Sequence, residues 1–292
     1  MSTIRRLTGK RTIEAARQYF TDEELAHAEA RRDRLTIFDA VFRRQGDELR
    51  VERVPDDPWL RDYVASLPGE QAVWEVAAFV KVRRISSAEE VVARARSGDL
   101  YDESYFTKRG GGAPYVGYPL ELNGAQGNFV DLSEEICARY GPRKVLDVGC
   151  ATGHLVKALR DRGVQAEGID FAQWAVDHAV TPVVQGSALE LPWGDGTFDV
   201  VVSQDFMEHM HPDDLPAVIA EQVRVVPPGG AIAHLIPFYD TDPPVQVDAH
   251  LCQATREWWL RFLRSQPGIE VVREPDETAA NLFDRYVHLR TV

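Results

Sequence analysis

The chain has 292 residues, 44% of them hydrophobic and 27% charged, a globular composition long enough for one large domain or a large one with a smaller partner. The formal net charge of −13 disfavours a nucleic-acid polyanion as substrate, because binding would lack the favourable release of counterions. No stretch approaches the roughly 20 apolar residues of a membrane helix, and the N-terminus lacks the apolar core of a secretory signal.

Three cysteines, Cys137, Cys150 and Cys252, show neither C-x-x-C spacing nor an even framework, so a reduced, cytoplasmic protein is expected. Thr21-Asp22-Glu23-Glu24 is a capping box and predicts a helix from about Asp22 to Arg34. The stretch LTIFDAVFRRQGDELRVERVP predicts two strands around a Gly46-Asp47 turn. Ala72 to Val82 reads as a further strand, and Ser86-Ser87-Ala88-Glu89 starts a helix running to about Arg96. Residues 1–98 are therefore expected to form a small α+β elaboration, without a motif that gives them chemistry.

Residues 99–130 are dense in glycine, tyrosine and proline and lack hydrophobic periodicity, which predicts a loop serving as lid or linker. From Asp131 the rhythm alternates. Strands are expected at Val145–Val148, Gln165–Asp170, Pro182–Gln185, Phe198–Ser203, Ala231–Pro237, Ile269–Arg273 and Phe283–Leu289. Helices are expected at Gly153–Arg162, Ala172–Ala179, Pro212–Val226 and Thr255–Ser265. The fold class is α/β, with a doubly wound, mostly parallel sheet in a core of residues 131–292.

In such sheets ligands bind beyond the carboxyl ends of the strands. The first strand ends in VLDVGCATGHL, with Gly149 and Gly153 four apart. A P-loop needs Gly-Lys-Ser/Thr, whereas Gly153 is followed by His154-Leu155. The dinucleotide fingerprint G-x-G-x-x-G fails at Ala151 and His154, which disfavours an NAD-dependent oxidoreductase. Asp170, 21 residues after Gly149, is a carboxylate suited to a ribose diol, or else a cap for the following helix.

These residues carry a resemblance. VLDVGCATGHL resembles the first motif of class I S-adenosylmethionine (SAM)-dependent methyltransferases, and GIDFA (168–172) their second-strand acidic motif. GSALELPWGDGTFDVVVSQDFMEHM (186–210) resembles their adenine loop and fourth strand, and VRVVPPGG (223–230) the turn before the fifth. DAHLCQATREWWLRFLRS resembles the segment after the fifth strand in members that act on small molecules. The similarity covers roughly residues 100 to 292.

The resemblance implies a seven-stranded Rossmann-like core with SAM as cofactor, a small-molecule acceptor and transfer to O or N, with C also open. Secondary metabolism would be a fitting setting. Cofactor contacts are then expected from Asp147, Gly149, Ala151, Gly153, Asp170, Phe171, Ser187, Ala188 and Gln204. Ser187 stands where many members have an adenine-binding aspartate, so a weaker contact is expected there. Arg109 and Tyr118 of the lid are expected at the cofactor, with Tyr105 and Phe106 lining a pocket.

His209, beside Glu208 and after the fourth strand, is the expected general base, and His250 the second candidate. Asp205, His209, His211 and Asp213 cluster in one loop but match no firm ligand spacing, so no metal site is assigned. A SAM-fold protein without methyl transfer, such as a sensor, a partner subunit or another catalyst, is the alternative. Nucleic-acid and membrane partners are not expected, and a homo-oligomer is compatible with the sequence.

Overall fold

A computed structural model describes residues 34–37, 40–45, 48–54, 76–77, 89–98, 100–107, 123–238 and 250–292. The chain divides into two compact units, one of Met1–Ala88, Phe238–Pro244 and Gln253–Trp258, the other of Glu89–Pro237, Val245–Cys252 and Trp259–Val292.

In the first unit, β1 (Arg34–Ile37), β2 (Ala40–Gln45) and β3 (Glu48–Arg53) form an antiparallel sheet in that order. The sequence predicts two strands here. The described residues instead form three strands, with Ile37 paired to Ala40. Val76 and Ala77, the described residues of the expected strand at 72–82, are helical and buried. The capping-box helix lies outside the described residues, apart from Arg34, which opens β1.

The second unit opens with α1 (Glu89–Ser97), followed by α2 (Glu103–Thr107) and α3 (Asn123–Tyr140). The segment 99–130, read as loop, thus contains a short helix and the first turns of a long one. The boundary placed after residue 130 falls inside α3.

Seven strands follow: β4 (Lys144–Val148), β5 (Gln165–Asp170), β6 (Val184–Gln185), β7 (Val200–Gln204), β8 (Ala231–Leu235), β9 (Ile269–Arg273) and β10 (Val287–Thr291). Their order is β6-β5-β4-β7-β8-β10-β9. The first five are parallel, and β10 runs antiparallel to both β8 and β9. This is the doubly wound, mostly parallel α/β sheet expected from the sequence.

The central strands are near-continuous apolar runs because both sheet faces are covered. Val145, Leu146 and Val148 of β4 and Val200, Val201 and Val202 of β7 are all buried. α4 (His154–Asp161) turns Leu155, Val156, Ala158 and Leu159 onto the sheet at helical spacing. Leu132 and Ile136 of α3 join the same core.

Two expected elements differ in place. Pro212 lies in a turn before the helix, and α6 (Leu215–Val225) starts with Pro216 in its first turn instead. The aromatic run from Phe283 is a 3-10 turn (Leu282–Arg285), because the Asn281 side chain accepts the Phe283 N–H at 2.8 Å and winds the chain. The last strand therefore begins at Val287. α5 (Gln173–Asp177) is shorter than predicted by three end residues and α7 (Arg256–Ser265) by one. Among the described residues, no helix is long and apolar enough to cross a membrane.

Candidate active site

After β4 the chain moves outward through β5 and β6, then returns to the other side of β4 as β7. That reversal is the topological switch point, where a crevice opens beyond the strand ends. A cavity of about 480 Å³ lies there, a volume typical of small-molecule sites. The end of β4 contributes Gly149 and Ala151, the end of β5 Asp170 and Phe171, and the end of β7 Gln204 and Asp205.

The turn after β4 is bound to the end of β5 by its backbone. Gly149 and Cys150 both donate N–H bonds to the Ile169 carbonyl, at 2.9 and 3.1 Å. Gly149 has φ 74° and its missing Cβ would lie 2.5 Å from Cδ2 of the Phe206 ring, so this position requires glycine on two counts. Ala151 also sits in the left-handed region, at φ 46°, a strain that costs an L-residue roughly 1–2 kcal/mol.

Asp170 holds that strained residue. One carboxylate oxygen accepts the Ala151 N–H at 2.7 Å and the other the Ala172 N–H at 2.8 Å. Burial pushes its pKa up, and these backbone bonds oppose the shift. The Phe171 N–H also bears on the carboxylate, whose four lone-pair sites still leave room for a ligand hydroxyl. Asp170 is thus both loop anchor and available acceptor.

Of the other expected cofactor residues, Ser187, Ala188 and Gln204 line the cavity, as does Phe171, which is 43% exposed. The Ser187 hydroxyl oxygen already accepts the Leu189 N–H at 3.1 Å and Gln204 Oε1 accepts the Tyr286 hydroxyl at 3.0 Å. Asp147 and Gly153 are not part of the lining. Asp147 is buried within β4, and burial, with Asp170 nearby, raises its carboxyl to about 8. Gly153 takes φ 75° before α4 with Val183 and Thr181 against it. Arg109 and Tyr118 lie outside the described residues.

Past β7, Asp205 adopts φ 48°, and burial raises its carboxyl to about 6. A 3-10 turn (Met207–His209) follows and brings His209 onto the cavity wall. The described part of the expected lid meets it: Tyr101 and Tyr105 pack edge-on to the imidazole at ring distances of 5.7 and 6.2 Å. The Tyr101 hydroxyl is 3.5 Å from His209 Nδ1. Phe106 lines the cavity too and stacks on Trp174.

His250 occupies a different position from the one expected. It is 2% exposed and outside the lining, with its ring against His209 at 4.6 Å; the cavity wall at this point is Leu251. Burial, and secondarily His209, lowers its pKa to about 3, so it is held neutral. Glu208 is wholly buried, and burial raises its carboxyl well above the ordinary range, Asp205 adding to the shift.

Sequence reasoning missed Arg96 and Asp214, which form an ion pair at 3.0 Å on the cavity rim, and Leu251. Arg96 is one of two arginines in α1, and nothing in the sequence marks it for such a place. His211, once grouped with possible metal ligands, accepts the Asp213 N–H on Nδ1.

The lining suits SAM. Among the described residues its one arginine, Arg96, is paired with Asp214, while the lining offers a strand-end carboxylate at a glycine turn and its carboxylates tolerate a sulfonium. Residues 146–234 match the family described as methyltransferase domain. An uncharacterized methyltransferase of Synechocystis is 31% identical over 166 residues, covering 52% of this chain and 78% of that protein. The chain belongs to the class I SAM-dependent methyltransferases, enzymes whose cofactor is SAM.

The ubiquinone biosynthesis O-methyltransferase of Chromobacterium violaceum is 32% identical over 123 residues, 38% of this chain and 49% of that protein. Norajmaline N-methyltransferase of Rauvolfia serpentina is 33% identical over 106 residues, 32% of this chain and 36% of that protein. The chain thus spans half or less of these two relatives. Among solved structures, SAM-bound CalS10, an amino pentose methyltransferase from Micromonospora echinaspora, aligns with TM-score 0.36 at 22% identity, over 39% of this chain and 52% of that one.

Proposed function

We propose that the chain transfers a methyl group to an oxygen or nitrogen of a small-molecule acceptor, with His209 as the general base. The observation that carries this reading is one cavity lined both by the Gly149–Asp170 turn and by His209. SAM supplies an electrophilic methyl on a sulfonium centre.

The chain's residues hold and orient. Gly149 and Ala151 let the backbone approach the methionine portion, Asp170 accepts from the ribose hydroxyls, and Phe171, Ser187 and Ala188 surround the adenine. Gln204 belongs to the same wall. The aromatic side chains Tyr101, Tyr105 and Phe106 exclude water from the acceptor end. His209 removes the proton that the acceptor heteroatom loses, while His250, buried and neutral, supports its ring. That relatives include both an O- and an N-methyltransferase agrees with either heteroatom.

His209→Gln tests the reading. A general base contributes about 10²–10⁴-fold, so kcat should fall by that factor while SAM affinity changes little. A variant with near-full kcat at every pH would remove His209 from the chemistry.

A further inference from the structure

Behind the acceptor wall, three side chains from two distant parts of the sequence converge. Glu208 Oε1 lies 3.9 Å from His209 Nε2 and 3.9 Å from His250 Nε2. One ligand atom of each residue lies within 4.8 Å of the others. An ion about 2.0–2.2 Å from each ligand needs them about 3–4 Å apart, so small side-chain rotations close the set.

Glu208 supplies an independent observation. It is 0% exposed, and neither carboxylate oxygen has a hydrogen-bond partner among the described residues. Leaving a wholly buried carboxyl group without a hydrogen-bond partner is costly in either protonation state, and a bound cation would offset that cost. No lysine or arginine ion pair reaches it among the described residues; only the two imidazoles do.

The backbone fixes the arrangement. Cys252 donates its N–H to the Glu208 carbonyl at 2.9 Å, which ties residues 250–252 to the 3-10 turn. On the other side of His209, the Tyr101 hydroxyl stands 3.5 Å from Nδ1, where an outer-shell partner of a metal-bound imidazole belongs.

We propose that Glu208, His209 and His250 form a binding site for a divalent first-row transition-metal ion of the zinc or iron(II) kind. Two imidazole nitrogens and one carboxylate are the donor set of such ions, whereas calcium and magnesium take oxygen ligands. The assignment stands on these three residues and not on the acceptor's identity. It also has a consequence for catalysis. An ion on Nε2 removes the lone pair with which His209 would accept a proton, so base-assisted transfer belongs to the ion-free form and falls as the site fills.

The test uses the full chain, stripped with a chelator and titrated with Co²⁺, followed by visible absorption and metal analysis. About one Co²⁺ per chain should bind and be displaced by Zn²⁺. Glu208→Gln and His250→Gln should each weaken binding by more than the roughly 10–100-fold that losing an outer-shell partner costs. His178→Gln, at an exposed histidine away from the cavity, should bind as the parent does. Circular dichroism checks each variant, and if one fails to fold the other carries the comparison. No stoichiometric uptake by the folded parent, or uptake unchanged in a folded ligand variant, overturns the site. Binding with undiminished methyl transfer keeps the site and overturns His209 as base. Failure of the stripped protein to bind SAM overturns the methyl-transfer reading and leaves the ion site standing.

Discussion

Asp170→Ala separates what the strand-end carboxylate does for the ligand from what it does for the turn. In the parent, its two oxygens hold the N–H groups of Ala151 and Ala172 at 2.7 and 2.8 Å. A hydrogen bond to a charged group contributes about 1.5–3 kcal/mol. Losing the ribose contact alone should therefore weaken SAM binding roughly 10- to 140-fold. Release of Ala151 from its left-handed conformation pushes the loss toward the upper end, because the turn must then be re-formed on binding. The double variant Ala151→Gly/Asp170→Ala measures that second part. Glycine adopts φ 46° without the strain of about 1–2 kcal/mol, so it should recover some affinity if turn shape matters. Titration calorimetry with SAM, on variants shown by circular dichroism to be folded, reads both effects. Unchanged affinity in folded Asp170→Ala would refute the placement of the ribose.

Three further outcomes follow from the same geometry. Gly149→Ala should lower stability by about 2–5 kcal/mol, the sum of left-handed strain and crowding against Phe206; a thermal melt at the parent's midpoint would contradict this. Ser187→Ala removes one neutral hydroxyl that already accepts the Leu189 N–H, so SAM affinity should drop only roughly 2- to 12-fold by calorimetry, and a larger loss would mean a stronger adenine contact. Asp147 holds its proton up to about 8 in the folded chain but ionises near its ordinary 3.8 when unfolded, so the folded state binds more protons between these values and loses stability as pH rises through them. Asp147→Asn should accordingly stabilise the protein at pH 8 and have little effect near pH 4, read from urea midpoints; equal effects at both would show that Asp147 is ionised in place.

The core of the fold was legible because its strands are the least ambiguous kind of sequence. Val145, Leu146 and Val148 are interrupted only by Asp147, Val200–Val202 are apolar throughout, and the left-handed Gly149 and Asp205 stand just past the ends of their strands. Errors collected where tertiary contacts override local pattern. The stretch from Phe283 has the composition of a strand, but the Asn281 cap winds it, and Phe283 and Tyr286 are buried against Tyr140 and His288 instead of pairing in the sheet. In the segment after Asp99, glycine and tyrosine density suggested loop throughout. Yet Tyr105 and Phe106 belong to a helical turn that Asp102 opens by accepting the Tyr105 N–H.

The cofactor half of the site was legible for a related reason: its residues sit at strand ends, where a short motif and a position in the sheet coincide. Gly149, Ala151 and Asp170 come from two adjacent parallel strands whose register places Val148 beside Ile169, so the following turn and carboxylate must meet. The wall behind His209 has no such rule. His250 follows His209 by 41 residues, and nothing in either local pattern points to the other. They meet because the 3-10 turn after β7 presents the Glu208 carbonyl to the Cys252 N–H. Spacing within one loop had drawn attention to Asp205, His211 and Asp213, but side chains that neighbour one another in sequence need not face the same point. Glu208 stood out in the sequence only as the neighbour of His209. Complete burial without a hydrogen-bond partner among the described residues is what sets it apart, and that property is visible only when the chain is folded.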